Sequence, residues 1–390
     1  MSQPFTEEHE LFRKTVRSFA EKELLPNVDQ WEEDELFPDE VFKRAGELGI
    51  LGAHYPEEHG GGGGDYWFSV AKAEELVRGG SAGVTMGLLV QSDMATPCIS
   101  DLGSKEQIEE FLKPALAGER IAALGVSEPD AGSDVAGIRT TARRVGDDYI
   151  VNGAKTYITN GTRCGFVTLL CKTDPDAGYG GISILLVPSD LPGFTVAKKL
   201  KKLGNHASDT AELHLEDVKV PARYLLGQEG QGFYYLMQNF QTERLIAAVS
   251  ATAGAKLTLD RSVAYGRDRM AFGKPIIKRE VWQHRFVDLY TLNEAARALS
   301  YDAVSDYNRE RYELGREQLS FDVVRKISMA KLFVGDMADR VADECLQFHG
   351  GMGYMDECFI SRVWRDQRLL RIGGGTSEVM KYLIAKTMGF

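Results

Sequence analysis

The sequence predicts an α+β protein built from three consecutive parts: a helical part, an all-β part and a second helical part. Apolar residues recur at helical spacing through the first third of the chain, and short β-rich runs bounded by Gly, Pro and Asp fill the middle. Long helical patterns resume at Gly232 and continue to Phe390. A chain of 390 residues is too long for one ordinary core, so two or three packed units are expected. The changes of pattern predict domains at residues 1–121, 122–231 and 232–390.

The first domain is predicted to be helical from its opening segment. The segment FTEEHELFRKTVRSFAEKEL places its apolar residues on one stripe of a helix, with charged residues opposite. Thr6, near the start of this segment, is typical of an N-cap. A second helix is expected in FPDEVFKRAGELGI, ending at Gly49. The five consecutive glycines within residues 57–66 predict a flexible loop.

The middle of the chain is predicted to form a small β domain. YIVNGAKTYITNG contains two alternating runs around Asn152 and Gly153, which predicts a hairpin with its turn at that pair. Four further β-rich runs follow, separated by turn residues: FVTLLCKT, GISILLVP, FTVAKKL and AELHLEDVKVP.

Composition and charge exclude several classes of partner. The net charge is -11 and no basic block occurs, so we expect neither a nucleic acid nor an anionic membrane as a partner. No apolar run is long enough to span a bilayer, and MSQPFTEEHE resembles neither a signal peptide nor an Arg-rich transit peptide. The five cysteines lack C-x-x-C spacing, which favours reduced thiols without a metal site. We therefore predict a cytoplasmic protein, or a mitochondrial matrix protein if the chain is a processed eukaryotic one.

The glycine-rich segments do not form the common nucleotide-binding motifs. GQEGQGFYY and GGMGYMD begin like G-x-G-x-x-G but lack its third glycine, and no G-x-x-x-x-G-K-[ST] occurs. The most distinctive segment is GVSEPDAGSD, residues 125–134, where Pro and Gly impose an irregular backbone between short polar side chains. Such a loop either hydrogen-bonds a flat heteroaromatic ring or a pyrophosphate, or turns the chain between two domains.

Five segments, taken in order, resemble those of the acyl-CoA dehydrogenases: SEPDAGSDVAGIRT, NGAKTYITNG, DRMAFGKPI, QFHGGMGY and GGGTSEVM. The resemblance extends from FTEEHE to the last helix. It implies an N-terminal α-helical domain, a central β-barrel domain and a C-terminal four-helix-bundle domain, with FAD as cofactor and a homotetrameric assembly. It also implies FAD-dependent α,β-dehydrogenation of an acyl-CoA to trans-2-enoyl-CoA, with electrons passed to an electron-transfer flavoprotein.

The resemblance also implies FAD contacts from both the β domain and the C-terminal helices. The implied FAD-binding residues are Val126, Ser127, Ser133, Tyr157, Thr159, Arg269, Phe272, Gln347, Gly351, Thr376 and Glu378. Arg269 is implied to face the pyrophosphate, and with Phe272, Gln347 and Gly351 it would complete the FAD site of a neighbouring subunit. Glu280 falls where relatives often carry a Gln near FAD, so a contact from Glu280 is left open.

The implied reaction needs a carboxylate that removes the Cα proton of the thioester. Many relatives carry that Glu where this chain has Gly374, which can donate an N–H to the thioester oxygen but cannot act as a base. Long-chain and isovaleryl-type relatives place the base in a helix, at the Glu-Arg-Leu position that is Glu243 here. The resemblance therefore implies Glu243 as the catalytic base, with Ser133, Arg244 and Gly374 binding the substrate.

Helical periodicity alone leaves the role of Glu243 open. At helical spacing Glu243 shares a face with the small residues Ala247, Ser250 and Gly254. This stripe either leaves room for a slim substrate, or it merely allows close helix packing beside a solvated glutamate.

Two other functions are compatible with the motifs. An acyl-CoA oxidase passes its electrons to oxygen, although oxidases are often longer than this chain. A non-catalytic homologue that binds flavin and acyl-CoA is suggested by the missing carboxylate at Gly374. For a dehydrogenase with its base on the helix, we expect a medium-chain, long-chain or branched acyl-CoA substrate.

Overall fold

The structure is a computed structural model that describes residues 4–390. The first part of the chain is helical, and its helices are α1 (Glu7–Phe19), α2 (Val28–Glu33), α3 (Glu40–Glu47), α4 (Tyr66–Leu76), α5 (Ala82–Leu89), α6 (Pro97–Leu102), α7 (Lys105–Gln107) and α8 (Lys113–Leu116). Thr6 caps α1 as predicted, because its side chain accepts a hydrogen bond from the backbone N–H of His9. A π-helical segment, Val90–Ala95, continues α5.

Backbone hydrogen bonds fix the five-glycine segment to residues that precede it in the chain. The N–H of Gly62 donates to the carbonyl of Gly52, and the N–H of Gly63 donates to the carbonyl of Tyr55, at 3.0 and 2.8 Å. A Cβ on Gly61 would lie 2.2 Å from the carbonyl oxygen of Tyr55. Glycine is therefore required there by close backbone packing, rather than by the flexibility that we predicted.

The middle of the chain forms an eight-stranded sheet. Its strands are β1 (Ala122–Gly125), β2 (Thr141–Val145), β3 (Asp148–Thr159), β4 (Phe166–Lys172), β5 (Ile182–Pro188), β6 (Phe194–Lys199), β7 (Thr210–Pro221) and β8 (Leu225–Leu226). The strand order is β6-β7-β3-β2-β4-β5-β8, and β1 pairs in parallel with β4. Strands β4 and β5 are apolar and almost wholly buried, as expected of strands that are covered on both faces.

The predicted hairpin turn at Asn152–Gly153 is wrong. These residues lie inside the continuous strand β3, and the turn falls earlier, between Val145 and Asp148. The register of β3 against β7 shifts between Val151 and Gly153, so the pair forms a β-bulge. A Cβ on Gly153 would lie 2.4 Å from the side-chain oxygen of Thr140, which accounts for a glycine within a strand.

The last part of the chain is again helical. It contains α9 (Gly232–Asp268), a two-stranded ribbon of β9 (Met270–Ala271) and β10 (Lys274–Pro275), then α10 (Glu280–Asn308), α11 (Phe321–His349), α12 (Phe359–Gln367) and α13 (Ser377–Met388). Helices α9, α10, α11 and α13 pack together as the four-helix domain. The predicted fold class, helical, then β, then four-helix, is confirmed.

Neither a membrane span nor a metal-binding cluster is found in the part of the chain that the structure describes. No helix within residues 4–390 combines the length and the hydropathy that a bilayer crossing requires. Over the same residues, no group of three or more His, Cys, Asp or Glu side chains could hold a metal ion.

Candidate active site

The fold brings the predicted base, Glu243, close to Gly374. Glu243 lies in α9 and Gly374 lies just before α13, far apart in sequence. A Cβ on Gly374 would lie 3.2 Å from Oε1 of Glu243. The Glu243 carboxylate therefore borders the space where a side chain at position 374 would begin.

Glu243 is half-buried, and its carboxylate accepts no hydrogen bond within the described residues. Burial raises the pKa of Glu243 above its ordinary value, and the charges of Arg244 and Lys331 oppose that rise without cancelling it. No group within residues 4–390 donates a hydrogen bond to this carboxylate. A poorly solvated carboxylate with a raised pKa is a stronger proton acceptor than one in water, provided that it remains ionised.

Two cationic side chains hold the glycine segment that lies beside Glu243. Nε of Arg244 donates to the carbonyl oxygen of Gly374 at 3.3 Å, and Nζ of Lys331 in α11 donates to the carbonyl oxygen of Gly375. Gly374 and Gly375 have φ angles of +64° and +96°, which glycine adopts without strain. Two successive carbonyl groups of the segment are thus fixed from two different helices.

The N-terminal domain holds α9 at the turn that precedes Glu243. Asn239 and Thr242 donate side-chain hydrogen bonds to the carbonyl oxygens of Met94 and Asp93, at 2.8 and 3.2 Å. Both carbonyls belong to the π-helical segment Val90–Ala95. The turn of α9 before Glu243 is therefore held by contacts with the N-terminal helical part of the chain.

The predicted flavin loop is anchored to the sheet by a buried ion pair. Nζ of Lys155 in β3 donates to Oε1 of Glu128 at 2.7 Å and to the carbonyl oxygen of Val126 at 3.0 Å. The N–H of Thr156 also donates to the carbonyl oxygen of Ser127 at 2.9 Å. These bonds fix the backbone of the loop beside β3, with Val126 buried and Ser127 half-buried.

An aromatic ring projects from β3 next to that loop. Tyr157 has a φ of +62°, and its side chain is 72% exposed, whereas Thr159 is half-buried. An aromatic residue in the left-handed region is a strained arrangement that commonly marks a functional site. Ser133 is exposed. The neighbouring Gly132 borders open space, because a Cβ on it would meet no atom within 4 Å.

The more distant predicted FAD residues lie exposed on the C-terminal domain. Phe272 is 96% exposed at the turn between β9 and β10, and Arg269 at the end of α9 is exposed as well. Gln347 and Gly351 are exposed near the end of α11. Glu280 is exposed too, and pairs only with His284 at 3.8 Å within the described chain.

The helix that follows the glycine segment begins as predicted. The side chain of Thr376 accepts a hydrogen bond from the N–H of Val379 at 3.2 Å and caps α13, while Glu378 in its first turn is exposed. The free N–H groups at the start of such a helix favour an electron-rich or anionic partner.

The residues present fit the FAD that the resemblance implies. The exposed ring of Tyr157 and the hydroxyl groups of Ser127 and Thr159 suit the flat flavin, which offers both a ring face and polar edges. The exposed guanidinium of Arg269 suits a pyrophosphate. The exposed ring of Phe272, at the turn of the β9–β10 ribbon, suits contact with another molecule such as FAD.

Sequence reasoning missed Lys331 altogether. Its position in α11 follows the spacing of the buried residues Ile327, Val334 and Ala338, so a lysine occurs on the apolar face of the helix. A charged residue on such a face is rarely buried unless it is paired, and this signal was available in the sequence.

Three family models match the chain. They are described as Acyl-CoA dehydrogenase, N-terminal domain, over residues 6–119; Acyl-CoA dehydrogenase, middle domain, over residues 123–218; and Acyl-CoA dehydrogenase, C-terminal domain, over residues 230–389. Together they account for nearly the whole length of the chain.

Two characterised relatives and one solved structure are similar to the chain over most of its length. The mitochondrial long-chain specific acyl-CoA dehydrogenase of Mus musculus is 39% identical over 384 residues, which make up 98% of this chain and 86% of that protein. The mitochondrial short-chain specific acyl-CoA dehydrogenase of Homo sapiens is 37% identical over 380 residues, 97% of this chain and 89% of that protein. A crystal structure of acyl-CoA dehydrogenase from Geobacillus kaustophilus is 40% identical, covers 100% of both chains and superposes with a TM-score of 0.94.

Proposed function

The chain belongs to the acyl-CoA dehydrogenase family, and from that premise we propose that Glu243 removes the Cα proton during α,β-dehydrogenation of a medium-chain, long-chain or branched acyl-CoA. The protein is an FAD-dependent oxidoreductase that acts on acyl-CoA. We also propose an electron-transfer flavoprotein as its electron acceptor.

The contact between Glu243 and the Gly374 position carries this proposal. Relatives with a Glu at position 374 hold their base there, and Oε1 of Glu243 lies 3.2 Å from the point where that side chain would start. A carboxylate from α9 thus reaches the region that a carboxylate from the glycine segment would serve. The raised pKa of Glu243, caused by burial, increases its affinity for the Cα proton.

The glycine segment is proposed to stabilise the charge that develops on the substrate. Removing the Cα proton places negative charge on the thioester oxygen, and a fixed N–H donor lowers the energy of that state. We propose the N–H of Gly374 as this donor, and Arg244 restrains the segment by donating to the carbonyl of the same residue. FAD, when bound, supplies the acceptor for the hydride that leaves Cβ.

We propose a homotetramer in which each FAD site is completed by a neighbouring subunit. The exposure of Arg269, Phe272, Gln347 and Gly351 supports the proposal, because these residues match the family segments that reach a neighbour's cofactor. The division of the chain into domains at 1–121, 122–231 and 232–390 is proposed on the same basis.

The function is tested by mixing the FAD-loaded protein anaerobically with butyryl-, octanoyl-, palmitoyl- and isovaleryl-CoA and following the loss of flavin absorbance. We expect the fastest bleaching with octanoyl-, palmitoyl- or isovaleryl-CoA. The fastest reaction with butyryl-CoA would contradict the proposed substrate class, and no bleaching with any acyl-CoA would contradict the reaction itself. Rapid reoxidation by oxygen with release of hydrogen peroxide would instead identify an oxidase.

A further inference from the structure

We propose that Lys331 is a positioning residue of the dehydrogenation site, which holds the glycine segment through Gly375 and places a positive charge near the carboxylate of Glu243. This inference rests on the proposed function. It concerns a residue of α11 that belongs to none of the five family-like segments.

Lys331 lies in α11, and its positive charge is close to both α9 and the glycine segment. The residue is 4% exposed, and its ammonium donates to the carbonyl oxygen of Gly375. Its Cε lies 3.9 Å from the point where a Cβ on Gly374 would be, and Oε1 of Glu243 lies 3.2 Å from the same point. Lys331 therefore approaches both the segment that would bind the thioester and the carboxylate that would act as base.

The glycine segment needs such an anchor. Three successive glycines, Gly373 to Gly375, have more backbone freedom than any other tripeptide, and ordering them costs conformational entropy. Arg244 fixes the carbonyl of Gly374, and Lys331 fixes the next one. The two peptide planes that follow Gly374 are thereby fixed, which restricts the backbone around Gly374 before the substrate arrives.

The charge of Lys331 also acts on Glu243. Burial raises the pKa of Glu243, and the Lys331 and Arg244 charges oppose that rise. Burial, together with the charge of Arg244, lowers the pKa of Lys331 to about 8, and the Glu243 carboxylate opposes this. These three side chains are the charged groups that face one another here within residues 4–390: the glycine segment contributes carbonyl oxygens, and α13 contributes the apolar Met380.

Removing the charge should therefore shift the pH range in which the base works. In Lys331→Met the carboxylate loses one of two stabilising cations, so a higher pH is needed to ionise it. We expect the acid limb of the rate of anaerobic flavin reduction, measured at saturating octanoyl-CoA, to move upward by about one pH unit. At pH values below that limb, the rate in Lys331→Met should be about tenfold lower than in wild type. The octanoyl-CoA concentration that gives half of the maximal rate should change little.

Two further variants separate this role from a purely structural one. Lys331→Arg keeps the charge and the donor, and should keep the wild-type acid limb. Lys326→Met changes a lysine of the same helix whose ammonium pairs with Asp302 and Asp306, away from the glycine segment, and should leave the profile unchanged. If Lys331→Met fails to retain FAD, Lys331→Gln takes its place.

Amide hydrogen exchange gives a readout that does not depend on turnover. In Lys331→Met the amides of residues 372–376 should exchange faster than in wild type, whereas Lys326→Met should match wild type in that segment. A Lys331→Met protein with the wild-type acid limb and wild-type exchange in the glycine segment would overturn the proposal. A wild-type protein that no acyl-CoA reduces would refute the proposed function instead, and the exchange comparison would still test Lys331.

Discussion

Glu128 in the flavin loop and Glu243 in α9 are both glutamates removed from bulk water, but their surroundings differ. The carboxylate of Glu128 accepts hydrogen bonds from Lys155 and from the N–H groups of Arg139 and Thr140. Burial alone would raise the pKa of Glu128, but the Lys155 charge and these hydrogen bonds outweigh it and lower the pKa. Glu243 accepts no hydrogen bond within the described residues, and its pKa is raised.

This is the difference expected between a structural carboxylate and the proposed reactive one. A carboxylate whose lone pairs are occupied stabilises the loop around it and has little capacity left for a substrate proton. A carboxylate that is desolvated without partners costs stability and gains proton affinity. Burial alone therefore does not set the direction of a carboxylate's pKa shift, which also depends on the hydrogen-bond donors and charges around the carboxylate.

The largest effect should come from removing the charge of Glu128. Glu128→Gln leaves the buried Lys155 ammonium uncompensated, so the free energy of unfolding should fall by about 3–5 kcal/mol. Urea unfolding of the FAD-loaded protein measures this loss. The double variant Glu128→Gln/Lys155→Met should recover part of it, and an unchanged unfolding midpoint in the single variant would show that the pair is not what anchors the loop.

Glu243→Gln should behave in the opposite way. The amide is nearly isosteric and cannot accept the Cα proton, so anaerobic flavin reduction should slow by about two orders of magnitude or more. FAD content and thermal stability should be retained, because no hydrogen bond to the carboxylate is lost. If the variant bleaches at the wild-type rate, the base lies elsewhere.

A methyl group on Gly374 should have an intermediate effect. Its Cβ would lie 3.2 Å from Oε1 of Glu243, on a residue with a φ of +64°, so Gly374→Ala crowds the carboxylate and strains the backbone. We expect flavin reduction to slow about tenfold. Gly373→Ala is the matched control, because a Cβ there meets only Leu369, at 3.7 Å, and should change the rate little.

The smallest effect should be on the pH dependence of stability, where the two glutamates act with opposite signs. The pKa of Glu128 is lowered in the folded protein, so its stabilisation is complete above the ordinary glutamate range and is lost as the pH falls through the folded value. The pKa of Glu243 is raised, so its ionisation reduces stability as the pH climbs from the ordinary range to the folded value.

Thermal unfolding from pH 4 to pH 8 should therefore separate the two variants. At the upper end Glu243→Gln should match or exceed wild type, by less than about 1 kcal/mol, and the gain should disappear at the acid end. The deficit of Glu128→Gln should narrow as the pH falls. Parallel curves for the two variants would show that the two carboxylates share the same environment after all.

The order of helical and β parts could be predicted from the sequence because it depends on local information. Hydrophobic periodicity is set by neighbouring residues, which is why the helix at Glu7–Phe19 and the buried runs of β4 and β5 were predicted. Glu243 was found through the resemblance, since periodicity alone left its role open. Its assignment as the base stays a prediction.

Other features depend on contacts between distant segments. The Asn152–Gly153 pair has the composition of a turn, but pairing with β7 keeps it within a strand, and only the proximity of Thr140 explains the glycine. The hydrogen bond from Lys331 to Gly375 likewise joins α11 to the glycine segment, which sequence spacing does not relate. Tertiary contacts decided both cases.

If Glu243 is the base, its closeness to the Gly374 position also limits the order in which the catalytic carboxylate could change position as the family diverged. A lineage that transfers the base between the two positions passes through a form with both carboxylates or a form with neither. The form with neither has lost its proton acceptor. The form with both crowds two like charges, so one of the pair holds a proton while the other still accepts one, and turnover survives. A lineage that keeps its activity throughout therefore acquires the new carboxylate before it loses the old one.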